Sequence, residues 1–465
     1  MMLFRSAMLA ALVASCAFCQ PCLAQASPSI DAAARAKLID ALIVQLNDYY
    51  IYPDVARQIE LKLRANQQRG AYDAYVRPGD LASALTADTR GVSHDLHLRV
   101  MYSEDEKSLP AGKRGPSKEA RMREQLKAAN YGIGKVDKLP GNIGYLQMFG
   151  LVSANYAAKA VSAAMAKLAD SDALIIDMRN NGGGDPTGVA FLSSYLFDQR
   201  THLNDLYWRE GKRTVEYWTD PKVPGTKYGQ RKDVYVLTGA RTFSAAEEFS
   251  YNLKQLKRAT LVGETTGGGA NPGGMRRLGN NFMAFVPSGR AINPITKTSW
   301  EGTGVAADVV VPARDALIVA QKLALAKLVV VAGPAQAQLL RARVAELEQQ
   351  GGFTASAFAS QPIYLRGSMN NWGTTHPMRQ ATPTTFSADL VLAPGRHEFK
   401  VGSADFNVID YGAARGKESV RRGENTSMTE GGENLALELD QAGTYTFMMD
   451  VKEPHKPLIS VFRKP

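Results

Sequence analysis

Between Ile30 and Leu85 apolar residues recur at helical spacing, Leu38, Leu42, Val44 and Leu46, then Leu61 and Leu63, with breaks at Pro53 and Gly70. This predicts a helical N-terminal region over 27–100. From Gly141 the pattern changes. Short apolar runs ("NIGYLQM", "ALIIDM", "DVYVLTG", "ATLVGE", "NFMAFVP") alternate with helical stretches at about Tyr156–Leu168, "GVAFLSSYLF" and "SAAEEFSYNLKQL". Such alternation predicts an α/β core over 141–330 with a largely parallel central sheet, in which chemistry sits where strands end. The charged, Pro- and Gly-bearing stretch 101–140 is expected to be an exposed connection, and the Ala/Gln-rich stretch 331–354 a helical linker. From Pro362 to Arg463 short alternating runs are separated by Asn, Gly and Pro turns. They predict an all-β sandwich over 355–465.

Residues 1–26 hold one charge, Arg5, an apolar run from Met8 to Phe18 and then Ala24-Gln25-Ala26. That is the pattern of a cleaved secretory signal peptide, too short for a membrane span with stop-transfer flanks. An exported protein, periplasmic or extracellular, is therefore expected, with lipidation at Cys16 of "VASC" as the competing reading. All three cysteines, Cys16, Cys19 and Cys22, lie in this segment. A mature chain without thiols excludes cysteine nucleophiles and zinc-thiolate centres. The net charge is +10, spread without a dense Lys/Arg run or an interleaved aromatic stripe. Nucleic acid is not an expected partner.

Ser244 follows the strand "DVYVLTG" and the turn "ARTF", and opens a helix whose Ala245, Phe249, Leu253 and Leu256 form one apolar stripe. A helix N-terminus offers free N–H groups and a positive dipole end, which favour an alkoxide or an oxyanion. A plain N-cap with Glu247 completing a capping box fits the same residues. "LIIDMRNNGGGDP" adds a strand running into a triple-glycine loop that can bring backbone donors close to a carbonyl oxygen. No Gly-Lys-Ser/Thr follows and no GxGxxG is present, so nucleotide binding is disfavoured. Before the β-rich tail the mature chain has three histidines, His94, His97 and His202. His97, in "DLHLRV", is followed by a short alternating run that would fix its ring, although spacing alone does not single it out.

In order along the chain, "DLHLRV", "LIIDMRNNGGG", "TFSAAEEF", "VGETTGGGANPG" and "WEGTGVAADVVV" resemble the tricorn-like and C-terminal-processing serine peptidase family over roughly Ile30 to Val330. The resemblance implies a ClpP/crotonase-like β/α core. The processing branch uses a Ser/Lys dyad with its lysine at the position of Gly269, and "GETTGGGA" has none. The roughly forty residues between His97 and Gly141 are too few for the PDZ domain of that branch. The branch similar to the interphotoreceptor retinoid-binding proteins implies Ser244 as nucleophile, His97 as general base and Glu301 as the supporting carboxylate. It also implies an oxyanion hole from Ala245 with Gly183 or Gly182, and substrate-binding positions at Gly267, Gly268 and Asn271. Tricorn enzymes carry a serine where this chain has Leu96, which leaves Asp95 or a bridging water as the two alternatives for the link between His97 and Glu301.

"YLRGSMNNWGTTHPM" and "LAPGRHEFKVGSADF" resemble the early-set β-sandwich modules of glycogen- and starch-active proteins over Ile363–Phe462. Trp372 is the candidate sugar platform, with Lys400 and Asn407 as polar partners; a core or lip tryptophan in a spacer module is the equal alternative. The reading as a whole is a secreted peptidase, free of metal and cofactor, acting on peptides or proteins, with α-glucan as a further possible partner of the tail. A catalytically silent binder of peptides or apolar ligands on the same scaffold is the alternative, and a glycan-associated hydrolase the lesser one. Oligomeric state is not readable from the sequence.

Overall fold

A computed structural model describes residues 29–103, 118–350, 358, 362–406, 409–414, 416–453 and 456–464. The expected leader, the central part of the charged connection and Asn407 lie outside the described residues.

Three helices begin the fold: α1 (Ala32–Tyr49), α2 (Pro53–Gln68) and α3 (Pro78–Ser93). Pro53 and Pro78 each occupy the first helical position, where the missing N–H costs nothing. Leu38, Leu42, Leu46, Ile59 and Leu63 are buried among them, whereas Val44 and Leu61 face solvent. The periodicity identified the helices and misplaced those two residues. Strand β1 (Arg99–Tyr102) leaves α3. Downstream come α4 (Lys118–Ala128), β2 (Ile133–Leu139), β3 (Ile143–Met148), α5 (Ala154–Leu168), β4 (Ala173–Asp177), α6 (Pro186–Ser194), β5 (His202–Trp208), β6 (Arg213–Trp218), β7 (Asp233–Thr238) and α7 (Ala245–Gln255). The core is completed by β8 (Thr260–Gly263), β9 (Gly273–Gly279), β10 (Phe282–Pro287), β11 (Gly289–Ile292), β12 (Val309–Val310), α8 (Ala316–Val331) and α9 (Pro334–Gln350).

The central sheet runs β12-β8-β7-β4-β3-β2, parallel except for β2, which pairs antiparallel with β3. Alternate strand residues divide between two layers. Leu174, Ile176, Val234 and Val236 pack with Val161, Leu192, Phe249 and Leu253 of α5, α6 and α7. Ile143, Ile175, Tyr235 and Val262 pack with Ala320, Leu325, Leu340 and Leu347 of α8 and α9. One expectation is corrected here: the described part of the connection 101–140 contains α4 and β2. In 331–354 the helix α9 is bound to the sheet by buried leucines worth roughly 1.5–3 kcal/mol each.

β1 is the third strand of a small antiparallel sheet, β1-β10-β9, with Arg99 opposite Phe285 and Val100 opposite Ala284. This pairing attaches the His97 loop of the helical region to the core.

The tail is all-β as expected, with strands β13 (Ile363–Gly367), β14 (Pro377–Thr382), β15 (Thr385–Leu392), β16 (Gly395–Gly402), β17 (Asp410–Ala413), β18 (Ser419–Val420), β19 (Thr426–Glu430), β20 (Leu435–Leu439), β21 (Gly443–Asp450) and β22 (Leu458–Arg463). Its order closes on itself, because β13 pairs with both β14 and β16. The expected sandwich is therefore a closed barrel with two extra strands, β20 and β18, on β16. It docks on the core through Arg241–Asp410 at 2.6 Å and Arg314–Glu430 at 3.3 Å. No helix among the described residues is long and apolar enough to cross a membrane.

Candidate active site

Ser244 is placed by a turn stitched to the end of β4. Thr242 donates its hydroxyl to Met178 O, and Phe243 N–H donates to Asn181 O. The serine has φ 55° and ψ −121°, a conformation an L-residue adopts only under constraint, at a cost of roughly 1–3 kcal/mol. Ser244 and Glu247 form the capping box expected from Ser-x-x-Glu, with Glu247 accepting the Ser244 N–H at 2.8 Å. The hydroxyl sits at the helix N-terminus.

Glu247 is fully buried and also accepts from Thr266 Oγ1, from Gly268 N–H at 2.6 Å and from Gly269 N–H at 2.9 Å. Burial pushes its carboxyl up to about 7 against these four donors. One side chain therefore fixes both the serine turn and the glycine loop.

The triple-glycine loop approaches from the other side. Gly183 has φ +108°, and a Cβ there would lie 2.7 Å from Ser244 Cβ and 3.0 Å from Ala245 N. Only glycine fits this contact. Gly183 N–H, however, donates to Asn181 Oδ1 at 2.9 Å, so this expected oxyanion donor is engaged within its own loop. Gly182 is exposed, with open space about its Cα. Ala245 is the first residue of α7, where a backbone N–H has no intrahelical partner.

His97 is held by its backbone and its ring. Arg90 of α3 donates to Leu98 O at 2.7 Å and to Leu96 O, bracketing the histidine, while the ring packs on Phe243 (centroids 4.6 Å apart) and Phe285 (5.7 Å). Gly269 lies against the same rings, since a Cβ there would be 2.2 Å from Phe243 Cζ and 2.7 Å from His97 Cε1. The position where the processing branch carries lysine is thus closed by two aromatic rings. Phe243 adjoins Ser244, and Gly269 lines the pocket beside Ser244, so both residues border the serine and touch the imidazole. No hydrogen bond joins His97 to Ser244 among the described residues.

On its other side the imidazole meets carboxylates. Polar atoms of Asp95, His97 and Glu301 all lie within 4.8 Å of one another, with His97 Nδ1 4.0 Å from Asp95 Oδ1. That 4.0 Å exceeds the roughly 3.4 Å edge of a tetrahedral site with bonds of about 2.1 Å, so the side chains as placed do not close around an ion. Asp95 accepts from Asn271 Nδ2 at 2.9 Å, Tyr50 OH at 3.2 Å and His97 N–H at 3.0 Å. Glu301 accepts the Ala270 N–H through Oε2, while its Oε1 and His97 Nδ1 are buried without hydrogen-bond partners among the described residues. Burial, with Arg99 and Arg90 nearby, pushes His97 down to about 4. Burial, followed by the adjacent Asp95 charge, pushes Glu301 up. At neutral pH the ring is uncharged, the state a proton acceptor needs.

The expected substrate-binding positions are turned inward. Gly267 N–H donates to Thr242 O, Gly268 N–H to Glu247 and Asn271 Nδ2 to Asp95. Each of these three donors is engaged within the site. Of the expected sugar-site residues, Trp372 and Lys400 are described and Asn407 is not. Lys400 is ion-paired to buried Asp410, which also holds Arg241 of the core, and Phe406 is covered by Arg366 at 3.9 Å. Trp372 is half-buried, its N–H donating to Gly367 O and its carbonyl accepting from Arg366. Sequence reasoning missed Tyr50, Phe243 and Glu248; of these only Glu248, the second of two adjacent glutamates after the serine, left a visible signal.

Residues 142–311 match the profile described as "Peptidase family S41", and residues 32–131 match the "N-terminal domain of Peptidase S41 in eukaryotic IRBP". The class of protein is thereby defined as a serine-type peptidase. The chain belongs to peptidase family S41, with the family's N-terminal domain before the α/β core and the closed barrel after it. Similar solved structures include the photosystem II D1 C-terminal processing protease (16% identity, TM-score 0.38, covering 60% of this chain and 93% of that chain). Others are a lipoprotein from Streptococcus agalactiae (13%, 0.38, 60% and 92%) and the tricorn protease (14%, 0.39, 68% and 37%).

Proposed function

We propose that the chain hydrolyses peptide bonds outside the cytoplasm through an acyl-enzyme on Ser244, with His97 as general base and Glu301 as the supporting carboxylate. The observation that carries this reading is the shared boundary of the two groups: Phe243 and Gly269 touch the imidazole and flank the strained serine. His97 Nδ1 lies on the carboxylate side, which leaves Nε2 for the serine proton. Catalytic hydrogen bonds are often loose before substrate binds, and the Ser244–His97 bond forms on docking.

Ser244 Oγ attacks the scissile carbonyl as His97 takes its proton, and the oxyanion is met by Ala245 N–H at the α7 dipole. Each such donor is worth about 2.7–4 kcal/mol in the transition state. With Gly183 N–H engaged by Asn181, Gly182 supplies the second donor. Collapse expels the amine, which receives the proton from His97, and a His97-activated water then hydrolyses the ester. Glu301, with Asp95 beside it, steadies the imidazolium formed at each transfer. The leader-like residues 1–26 and the confinement of every cysteine to them support export. The experiment is release of new termini from a denatured protein substrate such as casein by the wild type and by Ser244→Ala, His97→Ala and Glu301→Gln. The wild type cleaves and the first two variants lose about 10³-fold or more. Equal cleavage by Ser244→Ala would remove the assignment.

A further inference from the structure

Glu247 and Glu248 follow each other on α7, and consecutive helical residues point about 100° apart. The first carboxylate faces the glycine loop; the second faces the pocket beside Ser244. That pocket, ≈ 40 Å³, is walled mainly by apolar groups, among them Pro186, Leu206, Ala291 and Trp300. Glu248 is the charged residue lining it, 5% exposed, with Oε1 unpartnered among the described residues. Its polar neighbour is Asn204, fully buried, whose side-chain nitrogen and oxygen also lack hydrogen-bond partners among the described residues. A buried carboxylate without a countercharge is costly, and a helix facing its own core has no structural need for one.

Resting on the reading of Ser244 as nucleophile, we propose that this pocket receives the substrate side chain just before the scissile bond and that Glu248 selects a basic residue there, lysine above all. The apolar walls accept an unbranched aliphatic stem, and the carboxylate at depth takes the ammonium, with the Asn204 carbonyl as a second acceptor. Burial pushes Glu248 up to about 8, Asp185 adds to the push, and the Asn204 amide, near but outside hydrogen-bonding geometry, opposes it. The empty pocket thus holds a neutral carboxyl, and an arriving ammonium supplies the missing countercharge.

The test uses two peptidyl diphenyl phosphonates that differ only in lysine or norleucine at the position before the phosphorus. Ser244 Oγ bonds to phosphorus as one phenoxide leaves, and the serine proton departs with it as phenol. Wild type is expected to be labelled by the lysine probe about tenfold or more faster than by the norleucine probe. In Glu248→Gln that ratio is expected to fall to near 1, and in Glu248→Asp to lie between; thermal melts check that each variant is folded. Equal rates in wild type, or a lysine preference that survives Glu248→Gln, would overturn the proposal. Wild type that reacts with neither probe nor with a small fluorophosphonate lacking that side chain would instead overturn the nucleophile reading, and the specificity with it.

Discussion

The Glu247 carboxylate accepts the backbone N–H of Ser244 at 2.8 Å. The same group accepts two glycine-loop amides and the Thr266 hydroxyl, so the strained serine and the loop that approaches His97 share one anchor. Glu247→Ala would leave up to four buried donors unpaired, at about 1–3 kcal/mol each. We expect it to be recovered unfolded or with a strongly lowered melting temperature. Glu247→Gln keeps the volume but substitutes a donor for one acceptor; it should fold and lose about 10²-fold in fluorophosphonate labelling rate, because the serine is misplaced.

Gly269→Ala tests the closed lysine position. The added methyl would meet Phe243 Cζ at 2.2 Å and His97 Cε1 at 2.7 Å, so the rings must move. Peptidase activity should fall about 10²-fold while the fold survives, and Gly269→Lys should not restore it. Activity at the wild-type level in either variant would show that the ring positions are not needed.

The pH profile follows from two opposed shifts. His97, pushed down to about 4, is neutral and able to accept a proton at every pH well above that value. Glu301, pushed up to about 8, is protonated below it and gains its charge as pH rises through it. kcat/KM should therefore climb by up to about tenfold between pH 7 and 9, and Glu301→Gln should hold the low plateau throughout. A wild-type profile flat through pH 8 would contradict a charge role for Glu301.

The features legible in the sequence were those set by local pattern. The period of α1 to α3, the parallel core strands, and the motifs around His97, Ser244 and Glu301 all lie on short stretches whose residue types suffice. What escaped depends on partners distant in the chain. Asn271 looks like a substrate ligand until Asp95, 176 residues away, takes its amide. Gly268 looks like a free donor until Glu247 takes its N–H. The barrel reads as a sandwich because closure rests on one register, Tyr364 opposite Gly402 through Gly367 opposite Phe399, which no turn signal encodes. α9 reads as a linker because its alanines and glutamines are prominent, while Leu340 and Leu347 carry the packing.

Asp410 ties the barrel to the core. It is buried between Lys400 and Arg241, so Asp410→Ala strands two cations, the more buried of them being Lys400. We expect a loss of about 3–5 kcal/mol, seen as an earlier barrel transition in thermal unfolding and faster hydrogen exchange in β16 and β17. Because Lys400 is committed to this pair, the full chain should pass through amylose resin without retention. Retention abolished by Trp372→Ala would show that the barrel does bind glucan.

The central claim is that the hydroxyl of residue 244 is an activated nucleophile beside the imidazole of residue 97. The most direct measurement is reaction with a fluorophosphonate followed by mass spectrometry of the digested protein. The account predicts one added phosphonyl group on the peptide containing Ser244, no addition in Ser244→Ala and strongly slowed addition in His97→Ala. A Ser244 that stays unmodified, or labelling of Ser244→Ala equal to wild type, would contradict it.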